Sequence, residues 1–220
     1  MALTLVIGNK NYSSWSLRAW LALNHTGTPF EEVVVPLYEP GSTAAITRYS
    51  PSGKVPVLRD GDVTVWESLA ICEYLAEKFP DKGLWPRDGA ARAVARAISN
   101  EMHAGFRALR ETMVMNIRAK GRKVEMGDAV TGEIQRIADI WAAARAKFGA
   151  GGPFLFGTFT IADAMYAPVV TRFRTYGVVL EGEAKTYADA VWDMPAMQTV
   201  RKAAAAEPWV IERFERGRLN

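Results

Sequence analysis

The chain has 220 residues, 49% of them hydrophobic, which is enough to bury the core of one large domain or two small ones. Its 27 basic and 24 acidic residues give a net charge of +3 and are interleaved, without the Lys/Arg block that nucleic-acid binding calls for. Cys72, the single cysteine, excludes an internal disulfide framework and suits a reducing compartment. No apolar run reaches the ~18 residues needed to span a bilayer, and Met1–Leu5 has no charged leader or cleavage pattern, so a soluble, cytoplasmic protein is expected.

Leu3 to Ile7 is a short apolar run that reads as a strand. Leu17, Trp20, Leu21 and Asn24 then follow helical spacing, and Gly27 stops that helix. Val33–Val35 reads as a second strand closed by Pro36, and a short, weakly helical stretch spans Ala44 to Tyr49. Val55, Val57 and Leu58 read as strand, yet Pro56 cannot donate to a sheet ladder and belongs at an edge or a break. A cis Val55–Pro56 bond would turn the chain and leave the Val55 N–H and C=O free to pair with a bound peptide; a trans proline starting a strand is the plainer alternative. Asp60-Gly61-Asp62 joins this strand to Val63–Trp66 as a hairpin. Leu69, Cys72, Leu75 and Phe79 then line one face of a helix, with Glu67 and Ser68 at its mouth, placed to hold a charged end of a peptide. The order βαβ then ββα implies a mixed sheet with helices packed on it.

Composition shifts at Phe79-Pro80-Asp81-Lys82-Gly83, with Pro86 beyond. We place a first domain at 1–80, a linker at 81–88 and a second, all-helical domain at 89–220. Ala90 to Lys120 carries a long helical pattern whose apolar face includes Ile98, Met102, Phe106, Leu109 and Met113. Gly127 to Phe148 is a second long helix, ended by Gly149, Gly151, Gly152 and Pro153. Thr160-Ile161-Ala162-Asp163 is a capping-box pattern, with Asp in place of Glu or Gln, that opens a third helix. Further helices are expected from Tyr187 and from Met194.

A small α/β domain followed by an all-helical one, with Ser13-Ser14-Trp15-Ser16-Leu17-Arg18, Gly53-Lys54-Val55-Pro56, Glu67-Ser68-Leu69-Ala70-Ile71 and Thr160–Asp163 in that order, resembles the cytosolic glutathione transferases. The serine motif is most similar to the zeta type, with Trp15 where that class has a cysteine. The resemblance implies an α/β, thioredoxin-like N-terminal domain that binds glutathione as co-substrate and an all-α domain that shapes the second substrate's pocket. It also implies a homodimer, and no metal.

The implied chemistry has a physical basis. Only the thiolate of glutathione is a strong nucleophile, and a free thiol has a pKa of about 8.5. Lowering it by two units takes about 2.7 kcal/mol of preference for the anion. Hydroxyls at a helix N-terminus can supply this, because they donate hydrogen bonds while the helix dipole favours negative charge. By resemblance Ser13 is the thiolate-stabilising residue, Ser14 the second candidate and Tyr12 a rival; plain N-capping is the structural alternative for the serines. Val55 and Pro56 would present the backbone for the cysteinyl unit. Glu67 and Ser68 would hold the γ-glutamyl end, and Lys54 the glycine carboxylate. Trp15, Phe106 and Arg110 are the expected pocket residues. Cys72 is expected to be a core residue, Asp163 a helix cap, and His25 and His103 lack metal-type spacing. Glutathione-dependent isomerisation, peroxide reduction and a non-catalytic scaffold are the alternatives to transfer.

Overall fold

The computed structural model describes residues 3–218. The first part consists of β1 (Leu3–Ile7), α1 (Ser14–His25), β2 (Phe30–Val34), α2 (Ser42–Thr47), β3 (Val57–Asp60), β4 (Val63–Trp66) and α3 (Ser68–Lys78). The sheet order is β2-β1-β3-β4, with β1 parallel to β2 and antiparallel to β3, and β3 antiparallel to β4. Gly61, at φ +60°, makes the tight turn between β3 and β4.

β1 is the central strand, and its residues alternate between two cores. Leu3, Leu5 and Ile7 join the main core with residues of α1 and α3, while Val6 packs on the opposite face with Val35, Ile46 and Val57 under α2. Both faces of β1 are therefore covered, which is why it reads as an unbroken apolar run.

The second part consists of α4 (Gly89–Ala104), α5 (Arg107–Thr112), α6 (Asp128–Phe148), α7 (Ile161–Tyr176), α8 (Gly182–Asp193) and α9 (Pro195–Ala206). α7 is buried along nearly its whole length and packs against α1, α4 and α8. α1 is covered by α3 on one side and α7 on another, so both parts share one continuous core.

One expectation needs correction. The helical pattern over Ala90–Lys120 is two helices, not one. Gly105 is extended (φ −99°, ψ −163°), where a Cβ would lie 2.8 Å from the Glu101 carbonyl oxygen. Phe106 then adopts a left-handed backbone (φ +56°), and the chain leaves helix after Thr112. Met102, Leu109 and Met113 are nonetheless all buried. The break keeps both apolar faces on one core, so the spacing gives no sign of it. α8 also begins earlier than expected, at Gly182.

Candidate active site

The loop between β1 and α1 delivers Ser13 to the start of α1. Ser13 is the N-cap, and its Oγ accepts the Ser16 N–H (3.4 Å) while its hydroxyl donates to Ser16 Oγ (2.8 Å). Ser16 Oγ also accepts the Gly8 N–H (3.0 Å), so the hydroxyl pair is tied to the end of β1. Ser14 is the first residue of α1 and is partly buried. Tyr12 is differently engaged: its hydroxyl donates to Glu215 Oε1 (2.6 Å) and accepts from Arg118 (2.8 Å). Burial and then that carboxylate raise the Tyr12 pKa.

Across the sheet, the Val55–Pro56 peptide is cis, and Val55 N–H and C=O have no backbone partner among the described residues. Pro56 is buried, Val55 partly buried and Lys54 exposed. At the start of α3, Glu67 holds a left-handed backbone (φ +71°) and an exposed side chain. Ser68 is buried, and its Oγ has no hydrogen-bond partner among the described residues. A backbone outlier beside an orphaned buried hydroxyl is the kind of local cost that persists where a ligand uses it.

The opposite wall comes from the helical part. Two guanidiniums lie against the Trp15 ring, with Arg18 Cζ 4.4 Å and Arg110 Cζ 5.4 Å from its centroid. The His103 ring meets Trp15 edge-on at 5.2 Å, and His103 Nε2 lies 3.6 Å from Glu67 Oε2. Burial and then Arg18 lower the His103 pKa, and Glu67 opposes this. Arg18 is almost fully buried, donates from Nε to the Met165 carbonyl (3.2 Å) and has an unpartnered Nη1. Its pKa is lowered to about 9, first by burial and then by Arg172 and Arg110.

Of the expected pocket residues, Trp15 and Arg110 meet, whereas Phe106 is buried in the main core. Sequence spacing missed His103. It is brought in by the end of α4, which no local pattern marks, whereas Ser16 was already among the hydroxyls at the start of α1. A cavity of about 450 Å³ lined by Leu21, His25, Phe154, Phe159 and Met194 lies at the other end of α1 and includes none of these groups.

Residues 12–78 match the model of the glutathione S-transferase N-terminal domain, and residues 127–195 match that of the C-terminal domain. A zeta-class glutathione S-transferase of Euphorbia esula is 31% identical over 169 residues, covering 74% of each chain. This chain belongs to the glutathione S-transferase family. Maleylacetoacetate isomerase of Rattus norvegicus is 28% identical over 171 residues, 76% of each chain. Two further relatives align over only about half of their own length, 48% and 49%. A glutathione transferase homolog from Burkholderia, solved with bound glutathione, superposes with a TM-score of 0.69 at 24% identity, covering 94% of this chain and all of that one. The glutathione S-transferase fold, a thioredoxin-like α/β domain followed by an all-helical one, is thus the fold of this chain.

Proposed function

We propose that this protein is a glutathione transferase that ionises the thiol of reduced glutathione and delivers it to an electrophilic carbon of a small, largely apolar second substrate. The observation that carries the reading is Ser68, a buried hydroxyl at a helix N-terminus with no partner among the described residues, flanked by the left-handed backbone of Glu67. An unmet buried hydrogen bond costs about 1–3 kcal/mol and a left-handed non-glycine residue about as much. A zwitterionic γ-glutamyl end offsets both: its carboxylate takes the Ser68 hydroxyl and N–H, and its ammonium takes Glu67. The free Val55 backbone pairs with the cysteinyl unit, and Lys54 faces the glycine carboxylate.

The thiol then sits at the α1 N-terminus. A charge-assisted hydrogen bond from Ser13 is worth about 1.5–3 kcal/mol, and the helix dipole about 0.3–1 kcal/mol. Together they span the ~2.7 kcal/mol that a two-unit shift requires. The Ser13 hydroxyl donates to Ser16 Oγ (2.8 Å). On binding, the Ser13 hydroxyl turns from Ser16 to the sulfur, while its Oγ keeps the Ser16 N–H. Tyr12, committed to Glu215 and Arg118, is the weaker donor candidate. The partners in this reading are glutathione, a small electrophile and a second copy of the chain, in the cytoplasm. Val63 (46% exposed) and Trp66 (44%) on the edge strand β4 support the dimer.

The test is retention on glutathione-agarose together with turnover of a chromogenic aryl halide. Ser13→Ala should lower kcat by about 10²-fold, the cost of losing one anion-stabilising donor, with a far smaller change in glutathione affinity. Equal losses in both would assign Ser13 to binding, and retention without turnover of any electrophile would favour a scaffold. A second reading, glutathione-dependent isomerisation of an anionic substrate, is favoured by Arg18 and Arg110 beside Trp15 and by relatives named maleylacetoacetate isomerase. Trp15 in place of the zeta-type cysteine counts against it.

A further inference from the structure

The three residues that precede Ser13 are held chiefly by segments about one to two hundred positions away. Glu207, just past α9, accepts the Lys10 N–H at Oε1 (2.6 Å) and the Asn11 N–H at Oε2 (3.1 Å). Asn11 is fully buried; its Nδ2 donates to Asn116 Oδ1 (2.9 Å), its Oδ1 accepts the Arg118 N–H (2.9 Å) and its carbonyl accepts the Ile117 N–H (3.2 Å). Arg118 closes the circuit by donating to the carbonyls of Glu207 (2.8 Å) and Trp209 (2.9 Å) and to the Tyr12 hydroxyl (2.8 Å). Asn116 Nδ2 and Tyr12 both donate to Glu215 Oε1. Within its own half, the loop has the Asn9 carbonyl, which accepts the N–H groups of Tyr12 and Ser13, and Asn9 Oδ1, which accepts the Leu37 N–H.

We propose that Glu207, seconded by Asn11, is a positioning residue for catalysis: by bridging two backbone N–H groups immediately ahead of the α1 cap, it fixes where the Ser13 hydroxyl points and so sets how far the bound thiol is acidified. This rests on the reading of Ser13 as the thiolate donor. The body of α1 is fixed independently by α3 and α7. Removing the clasp therefore frees the loop while the helix stays in place. Two N–H groups would be left unpaired, each at the cost of a buried unmet donor, and the loop would shift to reach water. A shift of a few tenths of an ångström at the cap matters for the sulfur contact, because hydrogen bonds weaken steeply with misalignment. Burial raises the Glu207 pKa, and the two N–H donors, then Arg118 and Lys10, oppose that rise.

The experiment follows the ultraviolet absorbance of glutathione thiolate bound to the full-length protein as a function of pH, in the wild type, Glu207→Gln, Glu207→Ala, Ser13→Ala and the Glu207→Gln/Ser13→Ala pair. Glutamine keeps one acceptor and sets an amide N–H₂ against the other donor. The apparent thiol pKa should therefore rise by about one unit in Glu207→Gln, and kcat should fall about tenfold below that pKa, because each unit is a tenfold change in thiolate. The deficit should disappear at high pH, with KM for glutathione nearly unchanged. The double variant should show no shift beyond Ser13→Ala alone, the signature of one residue acting through the other. If Glu207→Ala fails to fold, Glu207→Gln decides. An unchanged thiol pKa in Glu207→Gln, or additive shifts in the pair, overturns the clasp. If Ser13→Ala itself leaves the thiol pKa unchanged, the reading of Ser13 falls instead.

Discussion

Two side chains show how environment sets chemistry at the level of single residues. Cys72 is a thiol in a protein proposed to work by thiolate chemistry, yet burial pushes its pKa up to about 12, and the nearby Arg18 offsets only part of that. It is inert in the folded state. A disulfide-exchange reagent at pH 8 should leave Cys72 unmodified and activity intact, with stoichiometric reaction only after unfolding; rapid native-state labelling would contradict this. Ser13 differs in lying at a helix N-terminus with a hydrogen-bonding partner rather than an apolar lining. Residue type was legible for Ser13, Glu67 and Ser68 because caps and helix starts are local signals. His103 was not, because its place beside Trp15 depends on how α4 ends and where α1 lies, and neither follows from its neighbours in sequence.

Asp163 is the clearest case among the helices and strands. Its Oδ2 accepts the Thr160 N–H (2.7 Å) and hydroxyl (3.0 Å), and its Oδ1 accepts the Leu155 N–H (3.1 Å), which joins the α7 cap to the preceding loop. Asp163→Ala should cost about 3 kcal/mol by leaving the buried Leu155 and Thr160 groups unpaired, measured by chemical denaturation, with KM for glutathione unchanged in the folded fraction. Burial raises the Asp163 pKa to about 6, against 3.8 in the unfolded chain. The folded state thus holds this proton more tightly. Stability from this group is fully present below pH ~4, is lost as pH rises through ~6 and is constant above; the span is about 3 kcal/mol. Comparison of the wild type with Asp163→Asn across pH 3.5–7 should show the wild type losing ground over that window. The α4–α5 break makes the complementary point: periodicity located the buried Ile98, Met102, Phe106, Leu109 and Met113, but not the left-handed backbone of Phe106 that divides the region.

At the scale of the molecule, α1 decides how the halves behave. All its residues from Ser16 to Leu23 are buried, some under the sheet and α3, others under α7. A fragment ending at residue 82 would expose the α7-facing side of α1 and leave Arg18 without the Met165 carbonyl. We therefore expect the full chain to unfold in a single calorimetric transition, and the 1–82 fragment to show no cooperative melt. Two separate transitions would mean that the halves are energetically independent.

By itself the sequence determined the order of strands and helices in the first part, the two-part composition and the cap positions at Ser13 and Asp163, since each depends on neighbours within a few positions. Tertiary structure alone decided what those groups face. It left the Ser68 hydroxyl without a partner among the described residues, brought Arg18 and Arg110 to the Trp15 ring, tied the Tyr12 hydroxyl to Glu215, and hung the loop before Ser13 on a carboxylate at position 207. Local order follows from the short-range sterics and hydrogen bonding of the chain, whereas these contacts arise only when distant segments pack around one shared core.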